Sequence, residues 1–432
     1  MKTLAIVSTY NENCGNASYT HVLKRAFSEH VDVSVIPLDL FLLQKTGKFY
    51  RKHADKHIAA IARKLQEFDY VNIQFEAGLY GASIPDIFRR IKILINSSKN
   101  LILTMHRIDV PDLSDGELIS RVFLLKMSPG EALRARRRRM FSVLYRDVVN
   151  HCQARLRDAN IWIAVHTRRD RRIISELYGM QNVFDYPLTF LTEDERKSIQ
   201  NSNARDDFRR RHAIPIDTKI VGAFGFISSY KGYETLIKAL TVLPTNYHLY
   251  IFGGQHPQTI KPNLPLDHYL KTLIDLTKEM GDEMIKDKAR RLRLLPKTLI
   301  SKEMADDILG EKLMDRIRFI GGLSDPHFIE ALRFSDFTVL PYIEVGQSMS
   351  GVVALAVESG ANLFCTNNHS FNEVRKYYGD AFHLFDIGNH VELAQKLMHE
   401  NRNFCEKRDE IYQRYNIKDN IKKHLELFGF PA

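Results

Sequence analysis

Along the first half of the chain, short apolar runs alternate with stretches whose apolar residues recur every three or four positions. The runs are LAIVST from Leu4, VDVSVIPL from Val31, YVNIQF from Tyr70, LILTMH from Leu101 and IWIAVH from Ile161. Each is short, rich in β-branched residues and bounded by turn residues, the pattern of strands buried on both faces of a parallel sheet. Between them, Ile58, Ile61, Ala62 and Leu65 recur at helical spacing within residues 53–68. Such alternation predicts a doubly wound α/β domain. The opening MKTLAIVSTYNEN turns polar at Ser8 and lacks a small-residue cleavage site, so it reads as the first buried strand rather than a leader.

Residues 191–217 are polar and charged and read as an interdomain connection. The alternation then restarts with KIVGAFGF, YHLYIFGG, RIRFIGG, DFTVLPY and ANLFCTN, five further strands of a second doubly wound domain. Residues 256–313 break the rhythm. They are long and charged, with Leu270, Leu273, Ile274 and Met280 at helical spacing, and read as a helical insertion offering an oligomer or acceptor surface. The expected domains are 1–195 and 205–405.

Composition agrees with two soluble domains: 432 residues, 44% hydrophobic and 26% charged. No apolar run approaches the ~18–20 residues of a membrane span. Cys14, Cys152, Cys365 and Cys405 are widely spaced, without a CxxC pair. That spacing fits a reducing, cytoplasmic setting and offers no zinc site. The net charge of +10 is concentrated: from position 134 to 172 there are twelve Arg and no Lys against three Asp and no Glu, a local balance of +9. Arg134, Arg136, Arg137, Arg138 and Arg139 form the densest part. Two readings stand, a solvated helix face and a surface for polyanions, of which an anionic membrane is one. Each Arg near such a membrane contributes roughly 1 kcal/mol. No hydrophobic anchor is evident beside the run, so association would be electrostatic and peripheral. No aromatic residue is interleaved through 134–139 and no DNA-binding motif is visible, so nucleic acid is not expected as a partner.

In open parallel sheets ligands bind outside the carboxyl ends of the strands, and the cleft between two such domains is the default active site. Several candidates lie just after strands. Gly15 and Asn16 follow the first strand and open a helix whose free N–H groups suit an anion. His106 directly follows LILTM, with Arg107 and Asp109 beyond it. Gly225, Tyr230 and Lys231 lie in GFISSYKG, where Lys231 beside a glycine turn is a candidate phosphate clamp. This is not a Walker loop, because the GxxxxGK[ST] order is missing. Glu344, Gln347, Ser348, Ser350 and Gly351 open the helix VVALAVESG with more hydrogen-bonding groups than a cap needs.

Taken in order, these segments resemble glycosyltransferase family 4, retaining transferases of GT-B architecture. VNIQFEAGLYG, with Glu76, resembles the family's Gln-x-Glu loop, and LTMHRID its segment carrying His106. GAFGFISSYKGYETLIKAL resembles the phosphate loop, and FIGGLSDPHFIEALRFSDFTVLPY, with Gly322, the base-binding stretch. QSMSGVVALAVESGANLFCTN resembles the donor-binding helix in a Ser-Gly variant. The family's two glutamates, eight positions apart, are not reproduced. Aligned on Gly360 the positions fall on Gln347 and Leu355; counted from Pro341 the first falls on Glu344. Glu358, one turn beyond Leu355, could face the same way.

The resemblance implies two Rossmann-like domains facing across a cleft, with 410–432 packing back on the first. It implies transfer from a nucleotide diphosphate sugar to a glycan or lipid-linked acceptor, as in polysaccharide or glycoconjugate synthesis, without metal or other cofactor. Lys231 and the helix starts would hold the diphosphate, Gly225, Gly322 and Glu358 the rest of the nucleotide, and His106 with Glu344 or Gln347 the sugar. Glu76, Arg107 and Asp109 are the acceptor or loop candidates. The alternative is a non-catalytic sugar- or nucleotide-binding protein on the same fold.

Overall fold

The computed structural model describes residues 2–12, 14–110, 114–255, 260, 263, 266–294, 312–344, 346, 348–399 and 405–430. The chain divides into two compact units. The first comprises Met1–Phe190, Gly346–Met349 and Tyr415–Ala432, and the second Leu191–Val345 and Ser350–Arg414.

The first unit is built on six parallel strands: β1 (Thr3–Ser8), β2 (Asp32–Pro37), β3 (Tyr70–Phe75), β4 (Asn100–Met105), β5 (Asn160–Val165) and β6 (Val183–Asp185). Their order is β2-β1-β3-β4-β5-β6, so the winding reverses at β1/β3. The helix Lys48–Leu65 buries Ile58, Ile61, Ala62 and Leu65, the residues whose spacing announced it. The C-terminal helix Ile417–Leu427 belongs to this unit. Asn420 on it donates to the Tyr19 hydroxyl at 3.3 Å and to Thr189 Oγ1 at 3.1 Å.

The second unit repeats the plan with β7 (Lys219–Phe224), β8 (Tyr247–Phe252), β9 (Ile317–Gly321), β10 (Phe337–Leu340), β11 (Leu363–Thr366) and β12 (His383–Phe385). The order is β12-β11-β10-β7-β8-β9, again parallel, with the reversal at β7/β10. Each sheet therefore has one strand more than the apolar runs suggested. The added strands, β6 and β12, are three-residue edge strands, too short for a periodicity to show.

The polar connector expected over 191–217 is in fact two helices, Glu193–Gln200 and Ala204–Arg211. Its charges mislead because Arg196 and Arg209 are buried. Arg196 Nε donates to the Glu358 carbonyl at 3.1 Å, and Arg209 donates to the carbonyls of Pro215 and Thr218 at 2.6 and 2.7 Å. Of the insertion expected over 256–313, the helix His268–Leu294 is described, with Leu273 and Thr277 buried; residues 295–311 lie outside the described residues. Among the described residues no helix is long and apolar enough to cross a membrane.

The helices Asp115–Phe123 and Pro129–Arg155 form a hairpin. Each starts with a reciprocal cap, Ser114 with Glu117 and Ser128 with Glu131, and an Asp115–Arg139 ion pair joins them. The first helix ends in a Schellman turn: Lys126 N–H bonds the Arg121 carbonyl at 2.8 Å and Leu125 N–H the Val122 carbonyl at 3.1 Å. The left-handed residue of that turn is Leu125, at φ 54°, where glycine is usual. Leu125→Gly should raise unfolding stability by about 1 kcal/mol, since a side chain in this conformation costs energy that glycine does not. Chemical denaturation reads the change, and an unchanged or lower midpoint would contradict it.

Candidate functional site

In the second unit three neighbouring strands end in glycine: β7 at Gly225, β8 at Gly253–Gly254 and β9 at Gly321–Gly322. At these three strand ends the C-terminal edge of the sheet is bare backbone, open to close approach by a ligand. Two of these glycines are sterically required. A Cβ at Gly253 would stand 1.9 Å from the Gly225 carbonyl oxygen, and one at Gly225, where φ is +104°, 3.1 Å from Lys231 Nζ. Gly322 has open space about it.

Lys231 lies at the β7/β10 reversal. It is only 5% exposed. Its ammonium donates to the Tyr342 hydroxyl and stands 4.9 Å from the Tyr230 ring centroid and 3.7 Å from that of Tyr342. No carboxylate lies within ion-pair distance among the described residues, and burial pulls the amine down to about 7. The loop is held from behind. Gly232, at φ +65°, packs its Cα against Pro341, whose carbonyl oxygen would be 2.1 Å from any Cβ, and Ile343 N–H bonds the Tyr230 carbonyl at 2.9 Å. Tyr342 is fixed in turn by Thr366 and Asn368, whose side chains donate to its carbonyl at 2.5 and 3.3 Å.

The other donor-side candidates divide. Ser348 and Ser350 are buried, and Ser350 is the N-cap residue of the helix Gly351–Glu358; its hydroxyl also bonds the Tyr342 phenol. The structure thus brings Ser350, Gly351, Tyr342 and Lys231 together. Glu344 is exposed, and its Oε2 accepts from the His369 N–H at 2.7 Å, at the start of the helix His369–Tyr378. Glu358 ends its helix, about 10 Å along the axis from Gly351. There its Oε2 accepts from the Leu191 N–H at 3.2 Å, so it braces the chain entering this unit. Gln347 lies outside the described residues.

In the first unit, Gly15 opens the helix Gly15–Phe27 with no side chain capping it and with open space around its Cα. Asn16 is half-buried, and its carbonyl accepts from Thr20 Oγ1 at 2.7 Å. His106 follows β4 and is tied to a polar ladder that sequence reasoning did not single out. Asn72 donates to Thr104 Oγ1 at 3.3 Å, Gln74 Nε2 donates to Asn72 Oδ1, and Gln74 Oε1 faces His106 Nε2 at 2.8 Å. With the Gln74 amide nitrogen committed to Asn72, its oxygen must accept, so His106 carries its proton on Nε2 and leaves Nδ1 as an acceptor. Burial and the neighbouring His166 ring, 5.0 Å away, hold His106 well below the usual imidazole range. The signal for this ladder was present in Asn72 and Gln74, two polar residues on one face of a wholly buried strand.

Glu76, Arg107 and Asp109 also come together. Arg107 Nε bonds both Asp109 oxygens at 2.9 and 3.0 Å. Burial pushes the Glu76 carboxyl up to about 7, against the pull of Arg107 and with the help of Asp109. Among the described residues no group of three or more His, Cys, Asp and Glu is placed to hold a metal ion.

The Lys231 amine gives a measurable pH signature. Its folded pKa of about 7 lies below the ordinary 10.5, so between those values the unfolded chain holds the extra proton. The contribution of Lys231 to stability therefore rises with pH across that window and levels off below it. Lys231→Met should remove up to about 1.4 kcal/mol per pH unit of that slope. Denaturant unfolding of both chains from pH 6 upward checks it, and parallel profiles would contradict it.

No family model matches the chain, and no curated protein does. Solved structures do. Anabaena HepE in complex with UDP-glucose is 13% identical, with 99% of this chain and 100% of that one covered at a TM-score of 0.59. Sucrose-phosphate synthase from Thermosynechococcus elongatus is 15% identical, with 99% and 98% covered at 0.61. The α,α-trehalose 6-phosphate synthase of Burkholderia multivorans is 11% identical, with 99% and 98% covered at 0.62. At these identities the likeness is one of fold, and the fold of this chain, two six-stranded parallel sheets flanked by helices, is that of the GT-B glycosyltransferases.

Proposed function

We propose that this chain is a glycosyltransferase that takes its sugar from a nucleotide diphosphate donor bound to the second unit. The observation that carries the reading is Lys231, a buried amine with no carboxylate in ion-pair distance among the described residues, at the reversal point of a sheet three of whose strands end in glycine. A diphosphate is the complement such a cation lacks, and the adjacent N-terminus of the helix Gly351–Glu358 adds N–H groups to it. A solved structure of this fold in complex with UDP-glucose supports the donor class.

The finer mechanism rests on the family 4 resemblance. As the bond from the anomeric carbon to the diphosphate oxygen breaks, charge grows on the leaving group, where Lys231 and the helix N–H groups stabilise it. The acceptor hydroxyl oxygen bonds to the same carbon on the face the diphosphate leaves, giving retention, and its proton passes to a diphosphate oxygen. Neutral His106 offers Nδ1 to a sugar hydroxyl. Glu76, whose carboxyl burial pushes up to about 7, and the Arg107–Asp109 pair offer donors and acceptors to a glycan or lipid-linked acceptor. A second reading, a non-catalytic binder of the same ligands, is favoured by one feature: Leu355 stands where the family places a ribose-binding glutamate, and Glu358 is engaged with Leu191. Release of nucleoside diphosphate from a panel of nucleotide sugars separates the two.

Lys231→Ala should weaken nucleoside diphosphate binding roughly ten- to hundredfold, the equivalent of a charge-assisted contact, and leave nucleoside binding nearly unchanged. Calorimetric titration of both ligands checks it; equal losses for both, or none, would remove Lys231 from the phosphate site. Because Lys231 and the helix start supply the positive potential, transfer should persist in EDTA. Loss of turnover that a divalent ion restores would overturn that part of the mechanism.

A further inference from the structure

The hairpin of Asp115–Phe123 and Pro129–Arg155 carries an apolar tip. Phe123 is 84% exposed, Leu124 60% and Leu125 93%, and Ile119 and Leu133 are more than half exposed beside them. The sequence showed no anchor next to the arginine run because, Leu133 apart, these residues belong to the preceding helix and turn; the antiparallel packing sets them against it. The helix Pro129–Arg155 has 27 residues, and its buried side chains begin only at Ser142. Its first three turns, roughly 15 Å or more, therefore stand clear of the core. Arg134, Arg136, Arg137 and Arg138 lie exposed on that projecting part, and Arg121 and Lys126 on the other arm.

Two features set this tip apart from scattered surface apolar residues. The apolar side chains are contiguous and sit at the end of the projection, with cations on both arms behind them. In addition, Leu125 occupies the left-handed position of a Schellman turn, at φ 54°. Glycine would relieve that position, and the leucine side chain stands in solvent. An apolar cap backed by Arg and Lys, which outnumber the exposed Asp115, Glu117 and Glu131 of the same hairpin, complements a lipid bilayer with anionic headgroups: the cap reaches the acyl boundary while the cations meet phosphates. An acidic soluble polymer would use the arginines and leave the leucines in water.

We propose that this hairpin is a membrane-docking element that inserts Phe123, Leu124 and Leu125 into an anionic lipid surface while the arginines behind them hold the headgroups. The proposal is independent of the transferase reading, because no residue of the donor or hydroxyl-binding groups takes part in it.

The test uses the full chain with vesicles of phosphatidylcholine alone and of phosphatidylcholine mixed with phosphatidylglycerol. Three proteins are compared: the native chain, F123S/L124S/L125S, and R136S/R137S/R138S. The native chain should co-sediment with the mixed vesicles and not with the neutral ones. The apolar variant should bind at least about tenfold more weakly at low salt, and the arginine variant should lose the preference for anionic lipid. All three should melt alike, because the changed side chains are exposed. A Leu125→Trp variant in a Trp162→Phe background should blue-shift its emission on mixed vesicles, which reports insertion directly. Equal recovery on both vesicle types overturns the proposal, as does an apolar variant that binds as the native chain does. So does competition by a soluble polyanion insensitive to the serine changes, or native self-association that the apolar variant abolishes without change in vesicle binding.

Discussion

A lysine ammonium taken out of water without a carboxylate beside it costs several kcal/mol, and the second unit is arranged around that cost at Lys231. Tyr230 and Tyr342 offer ring faces and a hydroxyl in place of a counter-charge. Gly225 gives up its Cβ to the ammonium, and Gly232 gives up its own to the Pro341 carbonyl. Thr366 and Asn368 fix Tyr342 by its carbonyl. Ring faces and a hydroxyl give the ammonium less than a counter-charge would, and burial accordingly pulls the amine down to about 7.

The first unit solves a different problem with the same sheet. Its histidine is kept neutral by burial and by a second imidazole, and oriented by a chain of amides running from Asn72 through Gln74. Such a ladder is costly if any member is unpaired, and its reward is a single tautomer at the strand end. Tyr19 packs edge-on against both His106 and His166. The C-terminal helix reaches the Tyr19 hydroxyl through Asn420, so the last element of the chain helps brace the histidine pair.

The arginines show how one residue type serves opposite ends. Arg90 is buried and bonds Asp55 and the Tyr80 carbonyl at 2.8 and 2.9 Å, and Arg316 bonds the carbonyls of Tyr247 and Pro244 at 3.1 and 2.8 Å. Both act as internal struts, the planar fork matching several carbonyls at once. Those from position 134 to 138 are exposed to solvent. Charge counting treats the two sets alike, and only the surroundings separate them.

Ten of the twelve strands, the doubly wound plan and the loop around Lys231 were legible in the sequence. Buried parallel strands must be apolar throughout, and turns with positive φ favour glycine, so both leave marks in single residues. The two edge strands were not legible, because three residues carry no period. The connector over 191–217 looked like a linker because the partners that bury Arg196 and Arg209 lie elsewhere in the chain. Glu358 shows the same limit: its place on a helix offered it as a candidate ligand group, and only the fold reveals its Oε2 accepting from the distant Leu191 N–H. Local pattern fixes what the backbone of a segment must do, whereas the partner of a charge is chosen by residues far away in sequence, and tertiary packing alone decides that.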